Sequence, residues 1–162
     1  MTTSSYEEEH MGPFNPYHLT QSDTTVEADR AFLSAQIKQF NNQISPHHLY
    51  IRTHPPQPLD LFLRMANGAI VGGLVADTYW DWLAIEDFWL HADLRGQGYG
   101  RRLLALAEAT AIARGCRRAF LTTFSFQARG FYEKAGYQVV GALEDYPPGA
   151  IYFWLRKDFP SR

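Results

Sequence analysis

Residues 95–102 read Arg-Gly-Gln-Gly-Tyr-Gly-Arg-Arg, and a leucine- and alanine-rich run follows. A glycine-rich turn that opens a helix is an anion site. The first backbone N–H groups of a helix have no partner within it, and the helix dipole favours negative charge there. Glycine lets a phosphate come close where a Cβ would collide with it. Three phosphate patterns compete. A Walker loop ends in Gly-Lys-Ser/Thr, but here Gly100 is followed by Arg101 and Arg102. A dinucleotide fingerprint needs a third glycine at position 101 and an acid some twenty residues on. The chain offers Arg101, then Arg117 and Arg118. What remains is R-x-x-G-x-G, met by Arg95, Gly98 and Gly100. N–H donors are expected from Gly96, Gln97, Gly98, Tyr99, Gly100 and Arg101, with arginine side chains assisting. A tight turn with exposed arginines is the plainer alternative.

Just upstream lies Leu-Ala-Ile-Glu-Asp-Phe-Trp-Leu, residues 83–90. An acid in so apolar a strand needs a reason to be there. Strict alternation places Glu86 with Ala84 and Phe88, and Asp87 with Ile85 and Trp89. Trp80, Trp82, Trp89 and Tyr79 gather around this strand, and an aromatic wall beside two acids can hold a cationic amine. Other chemistries find little support. His47 and His48 are adjacent, so they cannot share one face of a strand, and there is no His-Glu-x-x-His and no cysteine pair, so no metal is expected. No Gly-x-Ser-x-Gly occurs. His91 reads as a surface or capping residue, and Cys116 as a buried structural thiol.

These residues need elements to hold them. Val26, Phe32, Leu33, Ile37 and Phe40 recur at nearly helical spacing, giving a helix over 24–42 with Thr24 or Thr25 as its cap. His54-Pro55-Pro56-Gln57-Pro58 breaks the chain and is expected outside any strand or helix. Residues 59–66 and 69–80 flank Asn67-Gly68 as a hairpin. Residues 83–91 form a third strand, 99–114 a helix ended by Gly115, and 118–124 a strand. A short helix over 126–135 and strands over 137–143 and 151–157 complete the order, which is that of a mixed α/β sheet. The chain has 162 residues, enough for one domain with a substantial core, and is 46% hydrophobic. Residues 1–13 are expected to be a flexible arm and 14–162 a single domain. A formal net charge of -2 argues against a nucleic-acid partner. A polar N-terminus, no long apolar run and one cysteine point to a cytoplasmic protein without membrane association.

The R-x-x-G-x-G run resembles the pyrophosphate loop of the GCN5-related N-acetyltransferases, the GNAT family. A second match supports it: Ala128, Tyr132, Glu133, Lys134, Gly136 and Tyr137 fit the family pattern A-x-x-x-Y-E-K-x-G-F/Y. The resemblance runs from about residue 59 to 157. It implies a central twisted, mostly antiparallel sheet with splayed middle strands flanked by helices, and acetyl-CoA as co-substrate. It implies that Phe88, Trp89 and Leu90 line the pantetheine arm and that one of their N–H groups polarises the thioester. It places Ser125 where many members carry a cofactor-touching asparagine. It makes Tyr132 the acid that protonates the departing thiolate and Glu86 the base, directly or through water. The domain is then an acetyltransferase, and the acceptor is a primary amine of a small molecule or peptide. Asp87, Trp82 and Tyr146 are its candidate contacts, Asp145 standing beside the last. A homodimer is compatible with the family. A non-catalytic acyl-CoA-binding module remains the alternative.

Overall fold

In a computed structural model, Tyr17 and residues 19–160 are described. The expected arm over 1–13 lies outside them. The chain forms two compact units, one through Pro46 and one from His47 onward.

The first unit holds α1, Glu27–Ile44. Its N-cap is Val26, which makes no side-chain cap, so neither Thr24 nor Thr25 takes the expected role. Ser22 captures that segment instead, its Oγ donating to the Thr24 carbonyl.

The second unit begins within α2, Pro46–Thr53, a helix not foreseen from the sequence. Its His47 carbonyl accepts from Trp80 Nε1. Six strands follow: β1 Gln57–Arg64, β2 Ile70–Tyr79, β3 Trp82–Leu90, β4 Arg118–Phe124, β5 Gln138–Glu144 and β6 Ile151–Asp158. They form one sheet in the order β1-β2-β3-β4-β6-β5. All neighbours are antiparallel except β3 and β4. Helix α3, Tyr99–Ala113, makes that parallel crossover, and α4, Arg129–Lys134, follows β4. The short helix is thus four residues shorter than the 126–135 span expected, because residues 126–128 turn rather than wind. Pro58 sits inside β1, against expectation. β1 is the sheet edge, where a residue without an N–H breaks no ladder.

The hydrophobic core covers one face of this sheet. Leu74, Leu83, Leu121 and Leu155 lie fully buried, one on each of β2, β3, β4 and β6. Helix α3 sets Leu104, Ala107 and Ala111 over them at i, i+3 and i+7. The two alanines let the helix lie close to the sheet. Arg114, just past α3, ties that helix end to β1 and β2: its Nη1 donates to the Gln57 and Pro58 carbonyls and to Thr78 Oγ1. Tyr132 of α4 and Tyr137 before β5 close the same core.

One ion pair is set into that packing. Lys157 of β6 donates to Glu108 of α3 at 2.6 Å, the two side chains being 22% and 14% exposed. Tyr137 lies beside them, with the Lys157 ammonium 5.6 Å from its ring centre. Removing one partner of a buried pair strands the other charge. Lys157→Met is therefore expected to lower stability in urea unfolding by about 2 kcal/mol, between the buried and surface limits. Glu108→Gln added to it should restore most of the loss.

Candidate active site

The site is built where β3 and β4 part. Their parallel ladder pairs Trp82 with Arg118 through Ile85 with Leu121, then ends. Each strand continues alone into the gap, Glu86 to Leu90 on one arm and Thr122 to Phe124 on the other. Each arm is held on its outer side: β3 stays in register with β2 as far as Leu90, and β4 with β6 through Phe124.

The pairing with β2 decides which β3 groups face the gap. His91 N–H donates to the Val71 carbonyl. Alternation in an antiparallel ladder then turns Trp89 and Asp87 to β2 and leaves the Phe88 and Leu90 backbone groups facing away from it. The Leu90 carbonyl is taken by Arg95 Nε at 3.1 Å, so this arginine pins the glycine loop to the strand end. Phe88 and Leu90 are left with backbone N–H donors on the gap side.

A β-bulge reshapes the strand. Val75 pairs with Asp87 and Ala76 with Ile85, so Glu86 is the extra residue. Leu83 and Ile85 face the core before it, whereas Phe88 packs on that core after it. The expected grouping of Glu86 with Phe88, and of Asp87 with Ile85, is therefore corrected: the bulge moves the phase by one residue. Glu86 is exposed and belongs with Asp77 and Tyr79 of β2. After burial itself, the Asp77 and Glu86 carboxylates help hold the Tyr79 phenol above its ordinary pKa.

Downstream, a 3-10 turn, Ala92–Leu94, leads into the loop. His91 caps it, its Nδ1 accepting from the Asp93 N–H at 3.4 Å. Gln97 folds back onto the Asp93 carbonyl. Gly98 is the N-cap of α3 with φ +85°, a left-handed conformation that glycine adopts without strain. The first intrahelical bond runs from Arg102 N–H to the Gly98 carbonyl, so the Tyr99, Gly100 and Arg101 N–H groups precede the ladder. A Cβ on Gly100 would meet Leu90 Cδ1 at 3.3 Å and Phe131 at 3.5 Å. Its absence lets the helix start lie between the β3 arm and α4.

Tyr132 comes to this junction from α4. Its ring centre lies 6.4 Å from that of Phe88 and 5.1 Å from that of Phe131. Burial pushes its phenol up to about 12. The structure thus brings together Phe88, Leu90, the 95–101 loop and Tyr132. Glu86 and Asp87 stand beyond the bulge, both exposed. Trp89 is exposed and meets His91 edge to face. Trp82 does not reach the gap. It sits at the closed end of the β3–β4 ladder, with the Arg118 and Arg156 guanidinium groups over its ring at 5.4 and 5.5 Å. Ser125 follows β4; its N–H donates to the Ile151 carbonyl and its Oγ accepts from Ile151 N–H. That leaves the hydroxyl proton available to a further acceptor. Tyr146 stands in an aromatic group with Phe124 and Tyr152. Sequence reading missed Phe124, Phe126 and Tyr152; their signal was an aromatic recurring at both strand ends that flank the gap. Among the described residues no His, Cys, Asp and Glu cluster suits a metal, and no helix is long and apolar enough to cross a membrane.

A sheet split beside a glycine-opened helix and a buried tyrosine defines an acyltransferase architecture. The Acetyltransferase (GNAT) family matches residues 17–137, and the chain belongs to it as an acetyl-CoA-dependent N-acetyltransferase. It is 36% identical over 130 residues to the blasticidin-S acetyltransferase of Streptomyces morookaense, covering 76% of this chain and 96% of that one. It is 35% identical over 101 residues to an acetyltransferase of Agrobacterium fabrum, covering 62% and 74%. A crystal structure of an acetyltransferase from Bacillus cereus superposes with a TM-score of 0.75 at 29% identity, covering 86% of this chain and 98% of that chain.

The two glycines Gly98 and Gly130 make a test of the loop. Gly98→Ala places a side chain at φ +85° and is expected to cost about 1 kcal/mol of stability. Gly130, inside α4 with open space around it, should gain about 0.5 kcal/mol as alanine. Urea midpoints of the two variants check both signs.

Proposed function

We propose that the protein transfers the acetyl group of acetyl-CoA to a primary amine of a small molecule or peptide, by direct attack with both substrates bound. The observation that carries this reading is the parting of β3 from β4 after Ile85 and Leu121, next to the start of α3. The N–H groups of Gly96 to Arg101 would hold the pyrophosphate. Arg95 would act mainly through its grip on Leu90. Phe88, Trp89 and Leu90 would line the pantetheine arm, with Phe88 N–H the donor that polarises the thioester. One such preorganised donor contributes about 3 kcal/mol to the barrier. Ser125 has a proton to offer the arm from the opposite strand. The relatives support a small-molecule amine as acceptor, one of them being a blasticidin-S acetyltransferase. The one cysteine, Cys116, is buried and free, which supports a cytoplasmic setting.

An alkylammonium with pKa near 10.4 is neutral in roughly one molecule in 2,500 at pH 7. In the proposed reaction Glu86 takes its proton, directly or through water, Glu86 lying two residues from Phe88, about 7 Å along the strand. The amine lone pair forms the new C–N bond, the tetrahedral centre gives its second nitrogen proton to water as it collapses, and the C–S bond breaks with its electron pair toward coenzyme A. Tyr132 meets the departing sulfur with its hydroxyl. Asp87 and Tyr146 are acceptor contacts in this reading. Trp82, enclosed by its two arginines, takes no part in it.

A panel of amines with acetyl-CoA, read by thiol release, tests the reading. Tyr132→Phe and Glu86→Gln are each expected to lower kcat roughly 100-fold while acetyl-CoA binding persists. The Tyr132 phenol stays protonated until about pH 12, so the deficit of Tyr132→Phe should be constant from about pH 6 to 10. A deficit that disappears toward pH 10 removes Tyr132 from the donor role. Failure to bind acetyl-CoA overturns the assignment of the loop.

A further inference from the structure

The β4 arm of the gap ends in aromatic rings, of which the reading above uses only Tyr146. Phe126 lies parallel to Phe124, the ring centres 5.1 Å apart and the planes within 6°. Tyr146 approaches Phe124 at 6.4 Å and 29°. Tyr152 buttresses both, 4.7 Å from Phe124 and 5.8 Å from Tyr146. Phe126 is 68% exposed and Tyr146 54%. Two large rings are thus held outward on a rigid base. Phe124 is fixed by its pairing with Tyr152 and by Gln127 Oε1, which accepts from its N–H at 2.8 Å. Tyr146 is fixed in turn by backbone bonds across the turn before β6, its N–H donating to the Ala150 carbonyl.

The charge on the two arms and on the turn beside them is mostly negative. Residues 86–90, 122–128 and 144–152 contain Glu86, Asp87, Glu144 and Asp145, and the nearest cation along the chain from Phe126, Arg129, is paired with Glu133 at 2.8 Å and lies over the Phe153 ring. Phe124 lies three residues beyond Leu121, the level at which Glu86 begins the other arm. That offset is about 10 Å along the strand, the length of one drug-sized molecule. Flat rings favour a flat π-system stacked on them, and carboxylates favour a cation.

We infer that Phe126 and Tyr146 form a stacking platform for the acceptor, which is a cationic amine carrying a flat unsaturated ring. This inference rests on the amine-acetyltransferase reading above and narrows its substrate class. An aliphatic polyamine or a purely saturated sugar amine would leave the platform unused.

The test separates a π-face from mere greasiness. The probes are 2-phenylethylamine and 2-cyclohexylethylamine, which share the ammonium, the linker and the carbon count. Affinities are measured on the full chain by saturation-transfer NMR titration, which needs no turnover. The wild type is expected to bind the phenyl probe about fivefold more tightly. Phe126→Leu with Tyr146→Leu, both at exposed positions, should erase that preference and change cyclohexyl binding less than twofold. Equal affinities, binding of neither probe, or a preference that survives in the double variant overturns the platform. Acetyl-CoA titration of the same samples keeps the two readings apart. A ring preference without acetyl-CoA binding upholds the platform and removes the transferase site; acetyl-CoA binding without a ring preference removes the platform alone.

Discussion

The architecture turns on a ladder that stops early. β3 and β4 share only four residue pairs, Trp82–Arg118 to Ile85–Leu121. Backbone N–H and C=O groups at the middle of a sheet are otherwise among the most reliably paired in a protein. Here the outer pairings run on and the inner one does not: β2 holds β3 to Leu90, the bulged Glu86 apart, and β6 holds β4 to Phe124. The sheet is therefore two stiff halves, β1-β2-β3 and β4-β6-β5, hinged at their closed end and bridged by α3. The Phe88 backbone donor cannot find a strand partner without tearing one half apart. A ligand that supplies an extended chain of amides, as pantetheine does, fits that unmet need.

The bulge at Glu86 gives the same strand two different faces. Before it, the odd positions Leu83 and Ile85 enter the core; after it, the even position Phe88 does, with Leu90 against Gly100. An unbroken alternation would have driven Asp87 and Trp89 into the core and turned Phe88 away from Tyr132. One inserted residue avoids a buried carboxylate, whose desolvation costs several kcal/mol. Glu86 keeps the face of Ala84, opposite Tyr132. On the proposed chemistry the proton acceptor and the sulfur's hydrogen-bond donor then sit on opposite sides of the strand.

Much of this was legible in residue order. The Asn67-Gly68 hairpin, the glycine-opened α3 and β4 follow from turn chemistry and periodicity, which are local. The loop and Tyr132 were legible as a paired motif. What escaped was set by tertiary partners. Pro58 joins β1 only because that strand is an edge. Trp82 looked like an acceptor wall because it neighbours the acids in sequence, yet Arg118 and Arg156 come from distant strands to enclose it. The bulge left a trace that alternation alone overlooks: in Leu-Ala-Ile-Glu-Asp-Phe-Trp-Leu the apolar core phase shifts at the two acids. Phe126 and Tyr146 are 20 residues apart, and nothing local joins them.

Burial of Tyr132 bears on how far its proton moves. On the proposed chemistry this phenol, pushed up by burial to about 12, meets the sulfur of coenzyme A, and burial opposes the ionisation that complete proton transfer would require. A hydrogen bond is different: the neutral phenol keeps its proton at every working pH and offers it to a sulfur that becomes an anion only as the C–S bond breaks. In the apolar setting of Phe88 and Phe131 that bond gains strength as the charge develops. The same desolvation that makes Tyr132 a poor Brønsted acid makes it a constant donor. In that reading the proton that neutralises coenzyme A comes from solvent, and Tyr132 serves by stabilising the nascent thiolate.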